Sequence, residues 1–333
     1  MDGSNWFNYW TAIPGIKDSD HTMFALADEG YDVFIGNNRG TKYSNINSKY
    51  PDADNPSSAN YETQNAAKYD FGWYEMGKYD VPAMLNKAAE VSGVEKVTYA
   101  GYSQGTSQFL YALAVNEPTV NAKVDRAILM APCLYVTAED TDMENYDLIF
   151  PVYAAEKVKM FASPNKDLDK AKICQPQEGD VLADKREKAC SLITMMNEYG
   201  EGQPLKSEEQ FMQVAISNRF QEFKLDFNED DMIAPLLEPG IKENSVPVRL
   251  VAAQKDKLCD LTQAYRIYKE LGGEVNFTKV DDVESDHQYF LNYIIKPEML
   301  AILRDELTDT EFSSAFAVTA TSAIIAAITA MSF

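Results

Sequence analysis

At 333 residues the chain has room for one large α/β domain carrying an insertion, or for two average domains. It is 45% hydrophobic and 25% charged, the composition of a globular enzyme with a real core. Its 30 basic and 52 acidic side chains give a formal charge of −22, which argues against nucleic acid and anionic membrane surfaces as partners and leaves neutral esters open. Four cysteines are too few for a disulfide scaffold, and the 2 histidines, His21 and His287, leave only those positions for histidine chemistry.

The first residues, Met1-Asp2-Gly3-Ser4-Asn5-Trp6, show neither the basic nor the apolar region of a signal peptide. Tyr31 to Gly36 reads as a short buried strand. Apolar residues at helical spacing run from Met76 to Val91 and stop before Gly93, a C-cap signal. Lys96 to Tyr102 is the next predicted strand, Gln104 to Val115 the next helix, and Arg126 to Cys133 a third strand. From Tyr135 to about Gly240, charged helical segments with Pro-marked breaks and no convincing strand predict a helical cap. Strand and helix patterns then resume: strand Pro247 to Ala253, helix Leu261 to Leu271, strand Val275 to Val280, helix Gln288 to Leu307. Such alternation predicts a mainly parallel sheet with crossover helices. The predicted organisation is a core over 1–136 and 241–310, a cap over 137–240 and a tail over 311–333. Residues 315–333 carry no charge but hold 5 Ser and Thr residues. The tail therefore reads as a terminal helix, packed or frayed, or as a weakly hydrophobic C-terminal membrane anchor.

Gly101-Tyr102-Ser103-Gln104-Gly105 is a G-x-S-x-G sequence between a predicted strand and a predicted helix. That strand–turn–helix context is what a nucleophile elbow requires. Glycines at 101 and 105 leave room for a strained Ser103, and the N–H groups that begin the following helix face a developing oxyanion, Gln104 supplying one. In α/β-hydrolases the acid and then the base follow the nucleophile along the chain. His287 is the one histidine beyond Ser103, and it follows the last core strand after a short loop. Asp256 and Asp260 both follow the preceding strand. Asp256 sits at the first turn beyond it and is preferred as the acid, whereas Asp260 reads as the N-cap of the next helix. Asp286 adjoins His287 too closely for triad geometry. His21 reads as a capping or surface residue, and the sequon at Asn276 falls within a predicted strand, which disfavours glycosylation.

The stretches ALADEGYDVFIGNNRGTKYS (25–44), EMGKYDVPAMLNKA (75–88) and VTYAGYSQGTSQFLYALA (97–114) resemble the acid lipases, the gastric and lysosomal lipase group of the α/β-hydrolase fold. VAAQKDKLCD resembles that family's acid loop. Tyr102 stands where the family usually has histidine, and Ala215-Ile216-Ser217-Asn218 replaces an aromatic cluster of its cap. The resemblance implies hydrolysis of acylglycerols or sterol esters at a lipid–water interface, by Ser103, His287 and Asp256, with no metal or organic cofactor. It also implies a secreted or lysosomal location and makes a Cys174–Cys190 disulfide plausible. Esterase action on small soluble esters, or a non-catalytic lipase-like protein, are the alternatives. In the family, a strand ending in His-Gly-Leu precedes the part like MDGSNWF and supplies a second oxyanion N–H. Here Met1 stands about where that segment ends, so the expectation is that Met1 is internal to a longer protein. The first strands, one of them central, should then be missing and two backbone ladders left unpaired, making the chain alone poorly soluble and nearly inactive.

Overall fold

The structure is a computed structural model that describes residues 22–41, 43–136, 160–161, 203–224, 234–281, 285–291, 297–308 and 323–329. Six strands form one parallel sheet, in the order β1 (Asp32–Ile35), β8 (Ala323–Thr329), β2 (Val97–Ser103), β3 (Val124–Met130), β6 (Val248–Ala253) and β7 (Val275–Val280). Helices at Val81–Ser92, Gln104–Ala114 and Leu261–Glu270 fill the crossovers. Every residue of β2 is buried, as expected of a central parallel strand covered on both faces. The side-chain alternation of the strands divides the core in two. Tyr99, Leu129 and Leu250 join one apolar cluster, while Ala100, Tyr102, Ile128 and Val251 join the other.

The two sequence motifs upstream of the elbow meet in space. Arg39 donates from its backbone N–H and its Nε to Asp80, at 3.0 and 2.8 Å, and so ties the loop after β1 to the start of the Val81–Ser92 helix. Burial pushes the Asp80 carboxyl up, against the pull of the Arg39 guanidinium. Helix Val81–Ser92 ends at Gly93, whose φ of 69° is the left-handed cap that glycine adopts without strain. The helical run expected from Met76 begins instead as a π-turn, Met76–Asp80. It lies so close to helix Gln104–Ala114 that a Cβ on Gly77 would come within 2.3 Å of the Gln108 carbonyl oxygen.

Two expectations about the C-terminal part change. The predicted helix Gln288–Leu307 is divided into a 3₁₀ turn, His287–Leu291, and an α-helix that starts at Pro297. Proline lacks the N–H of a helix interior but suits a first helical position. In the tail expected to be helical, Ala323–Thr329 is a strand. It lies between β1 and β2, pairing Ile35 with Ala326 and Ser103 with Thr329. The ladders expected to stand unpaired are therefore paired. The run AIIAAIT is short, apolar and partly β-branched, a pattern that suits a buried parallel strand as well as a helix segment, and pairing decides between them. Among the described residues no helix is long and apolar enough to cross a membrane, so nothing there supports the anchor.

Within 137–240, two-residue strands β4 (Met160–Phe161) and β5 (Gln203–Pro204) pair antiparallel where no strand was expected, and Leu205–Ser217 is helical. That helix packs Phe211 against Trp73, with ring centroids 5.1 Å apart, and its Gln210 accepts the Tyr74 N–H. Asn218 ends it in the left-handed conformation that asparagine tolerates. His21, Cys174 and Cys190 lie outside the described residues.

Candidate active site

Ser103 closes β2 and begins the turn into helix Gln104–Ala114. Its φ of 52° and ψ of −122° are sterically strained for a residue with a side chain. The glycine at 101 is explained by crowding: a Cβ there would lie 3.1 Å from the Gly105 carbonyl and 2.9 Å from the Tyr99 ring. Tyr99 donates its hydroxyl to the Gly105 carbonyl at 2.8 Å, and Thr106 donates to the Ser103 carbonyl at 2.6 Å, so both sides of the turn are held. Gln104 is the first helical residue, where backbone N–H groups have no acceptor within the helix. The N–H of Gln104 thus belongs to the positive end of the helix dipole, beside Ser103.

Ser103 Oγ lies 2.9 Å from His287 Nε2, and His287 Nδ1 lies 2.8 Å from Asp256 Oδ2. All three residues are buried. The other carboxylate oxygen of Asp256 accepts the backbone N–H groups of Leu258 and Cys259, at 2.9 and 2.8 Å. The turn after β6 thereby fixes the carboxylate plane and leaves Oδ2 for the imidazole. Asp260 does not join this set. It caps helix Leu261–Glu270 by accepting the Gln263 N–H at 2.9 Å. Asp286 is exposed. The Asn276 sequon lies on β7, within a strand.

Three features escaped sequence reasoning. Tyr102 donates its hydroxyl to the His287 backbone carbonyl at 2.7 Å, with its ring 5.3 Å from the imidazole. Burial, and then the negative charges of Asp256 and Asp286, push the Tyr102 phenol well above its ordinary range, so it remains a neutral donor. The departure from the family's usual histidine was the available signal. Next, Cys133 and Cys259 form a disulfide across 126 positions of sequence. Cys259 also lies in a cluster with Asp256 and His287 whose spacing would suit a metal, but its sulfur is bonded to Cys133 and offers no thiolate. Finally, β8 ends at Thr329 in register with Ser103, so the last residue of the tail strand lies beside the nucleophile.

A buried serine at a strained strand–helix turn, in line with an imidazole and a carboxylate at the carboxyl ends of parallel strands, defines a hydrolase of the α/β class. The family model for the alpha/beta hydrolase fold matches residues 11–297, and the chain belongs to that family. Its relatives narrow the kinship. It is 26% identical over 294 residues to Lipase 1 of Drosophila melanogaster, covering 83% of this chain and 63% of that protein. It is 32% identical over 181 residues to gastric triacylglycerol lipase of Mus musculus, covering 53% of this chain and 41% of the relative. Lipase member K of the same species is 38% identical over 109 residues, or 33% of this chain and 24% of the relative. The chain is thus acid lipase-like, and it spans less than two thirds of the length of these relatives.

Proposed function

We propose that the chain is a carboxylic ester hydrolase for neutral lipid esters, acylglycerols or sterol esters, working through an acyl-enzyme. The observation that carries this reading is the unbroken line from Ser103 Oγ through the His287 imidazole to Asp256 Oδ2, with contacts of 2.9 and 2.8 Å. Ser103 attacks the ester carbonyl while His287 Nε2 takes its proton. The same nitrogen returns that proton to the leaving alkoxide, and Asp256 holds the imidazole in the tautomer that leaves Nε2 free to accept. The oxyanion formed in each step is stabilised by the Gln104 N–H. A water activated by His287 then releases the fatty acid. The kinship with gastric triacylglycerol lipase favours water-insoluble acyl substrates, which the protein meets at a lipid–water interface. The buried Cys133–Cys259 disulfide favours an oxidising compartment, in keeping with a secreted or lumenal location. Residues 137–240 serve as the cap that shelters the acyl chain.

The test is hydrolysis of p-nitrophenyl esters of increasing chain length and of a triacylglycerol emulsion. Turnover that rises with chain length and vanishes in Ser103→Ala is the expected result. Turnover confined to acetate and butyrate would assign the enzyme to small soluble esters. Turnover that survives in Ser103→Ala would place the chemistry elsewhere.

A further inference from the structure

We infer that the Cys133–Cys259 disulfide is a positioning brace for Asp256, joining the acid loop to the nucleophile turn in one closed ring of contacts. From Ser103 the ring runs through its carbonyl to the Thr106 hydroxyl, 2.6 Å away, and the same hydroxyl accepts the Cys133 N–H at 2.8 Å. Ser107 Oγ donates to the Cys133 carbonyl, so the backbone of Cys133 is held on both sides. The disulfide crosses to Cys259, whose N–H is 2.8 Å from Asp256 Oδ1. Asp256 Oδ2 reaches His287, and His287 returns to Ser103. Both cysteines are 1% exposed. The bridge is therefore built into the floor of the site and does not tie down a surface loop.

The place of the bridge in the chain gives it work that hydrogen bonds alone do poorly. Cys133 lies just beyond β3, and Cys259 just beyond β6. β3 and β6 are neighbours in the sheet, and the bridge adds a covalent tie between the segments that leave them, one carrying Asp256 and the other held to the Ser103 turn. This role rests on the proposed assignment of Ser103, His287 and Asp256 as the reacting set.

A double-mutant cycle on the full chain tests it. Cys133→Ala/Cys259→Ala is made in the native background and again with Asp256→Asn, and kcat and KM are measured well below each variant's melting temperature. In the native background the loss of the bridge lowers kcat by about 10- to 100-fold, the cost of a misplaced catalytic group, with KM within about twofold. In the Asp256→Asn background the same change has little effect, because the group it positions is already disabled. Equal losses in both backgrounds would reduce the bridge to general stability and overturn the inference, as would an unchanged kcat in the native background. If Ser103→Ala leaves hydrolysis intact, the functional assignment fails first. If Ser103→Ala abolishes hydrolysis and the cycle is additive, the brace alone fails.

Discussion

Tyr102→Phe isolates one hydroxyl at the base of the site. The substitution keeps the ring, so it leaves no cavity and preserves the packing against His287. What it removes is the 2.7 Å hydrogen bond to the His287 carbonyl, between residues that are 1% and 8% exposed. Taking the donor from a buried acceptor costs about 1–3 kcal/mol, since water does not take its place. Phenylalanine regains a little, because the phenol no longer has to be desolvated, so about 1–2 kcal/mol of stability should be lost. For a chain of 333 residues that is a fall of roughly 1.5–3 °C in Tm. The carbonyl belongs to the first residue of the 3₁₀ turn that carries the base, so the imidazole also becomes less well placed. A drop in kcat of about tenfold, with KM unchanged, is expected. Calorimetry and p-nitrophenyl ester kinetics on the same preparations measure both effects. A Tm within about 1 °C of the native value together with an unchanged kcat would show that the contact carries no weight.

Four further outcomes follow from the structure. Asp256→Asn should lower kcat by about 10³- to 10⁴-fold with the fold intact, since the amide holds the wrong imidazole tautomer. Asp260→Ala should leave kcat nearly unchanged and cost about 1 kcal/mol of stability in chemical denaturation, the value of an N-cap. Glu75→Gln tests a pH dependence. Burial acts most strongly on the Glu75 carboxyl and raises it, but the Lys206 ammonium at 2.6 Å and the Gly72 N–H at 2.8 Å together pull harder and hold it below the ordinary 4.5. A depressed folded value means that the stabilisation is full above 4.5 and is lost as pH falls through the folded value. The stability gap between native protein and Glu75→Gln, about 1 kcal/mol for a partly exposed pair, should therefore be present at pH 7 and close under acid. A gap that widens on acidification would contradict this assignment. Ile35→Cys/Ala326→Cys should form a disulfide, because paired strand positions lie about 4.8 Å apart, within the reach of a disulfide. Ile35→Cys/Ala323→Cys, displaced along the strand by roughly 10 Å, should not. Mass spectrometry of non-reduced digests separates the two, and bridging in neither variant would remove β8 from its slot.

The parts of the site that a sequence displays are those set by local geometry. Ser103 is legible because its strained turn needs the glycine at 101 and a strand and helix on either side, all within a dozen residues. Asp256 and Asp260 are separable for the same reason: one falls in the turn after a strand, and the other lies immediately before a helix whose third N–H it accepts. The parts that stay hidden depend on contacts between distant segments. Tyr102 and His287 are 185 positions apart, and nothing near Tyr102 announces which carbonyl its hydroxyl will find. Cys133 and Cys259 are 126 positions apart, and the pairing follows from where β3 and β6 end side by side.

The tail shows the same limit from the opposite direction. Residues 323–329 are apolar enough for a helix, a membrane segment or a buried strand, and local pattern does not rank the three. The deciding term lies in β1 and β2. With a gap between them, each presents a row of backbone N–H and C=O groups without partners, and each buried group left so costs about 1–3 kcal/mol. A segment of 7 residues that pairs with β2 from Thr98 to Ser103, and with β1 from Asp32 to Ile35, satisfies both rows at once. It also ends where Ser103 begins its turn, which gives the strand a part in the site as well as in the sheet. Proline at 327 removes one N–H from that ladder. If β8 holds the nucleophile strand, Ala327→Pro should cost stability and kcat together, by about 3 kcal/mol and at least tenfold. If the tail lies elsewhere, the same substitution should change neither, because a proline in an unpaired segment has no ladder to break.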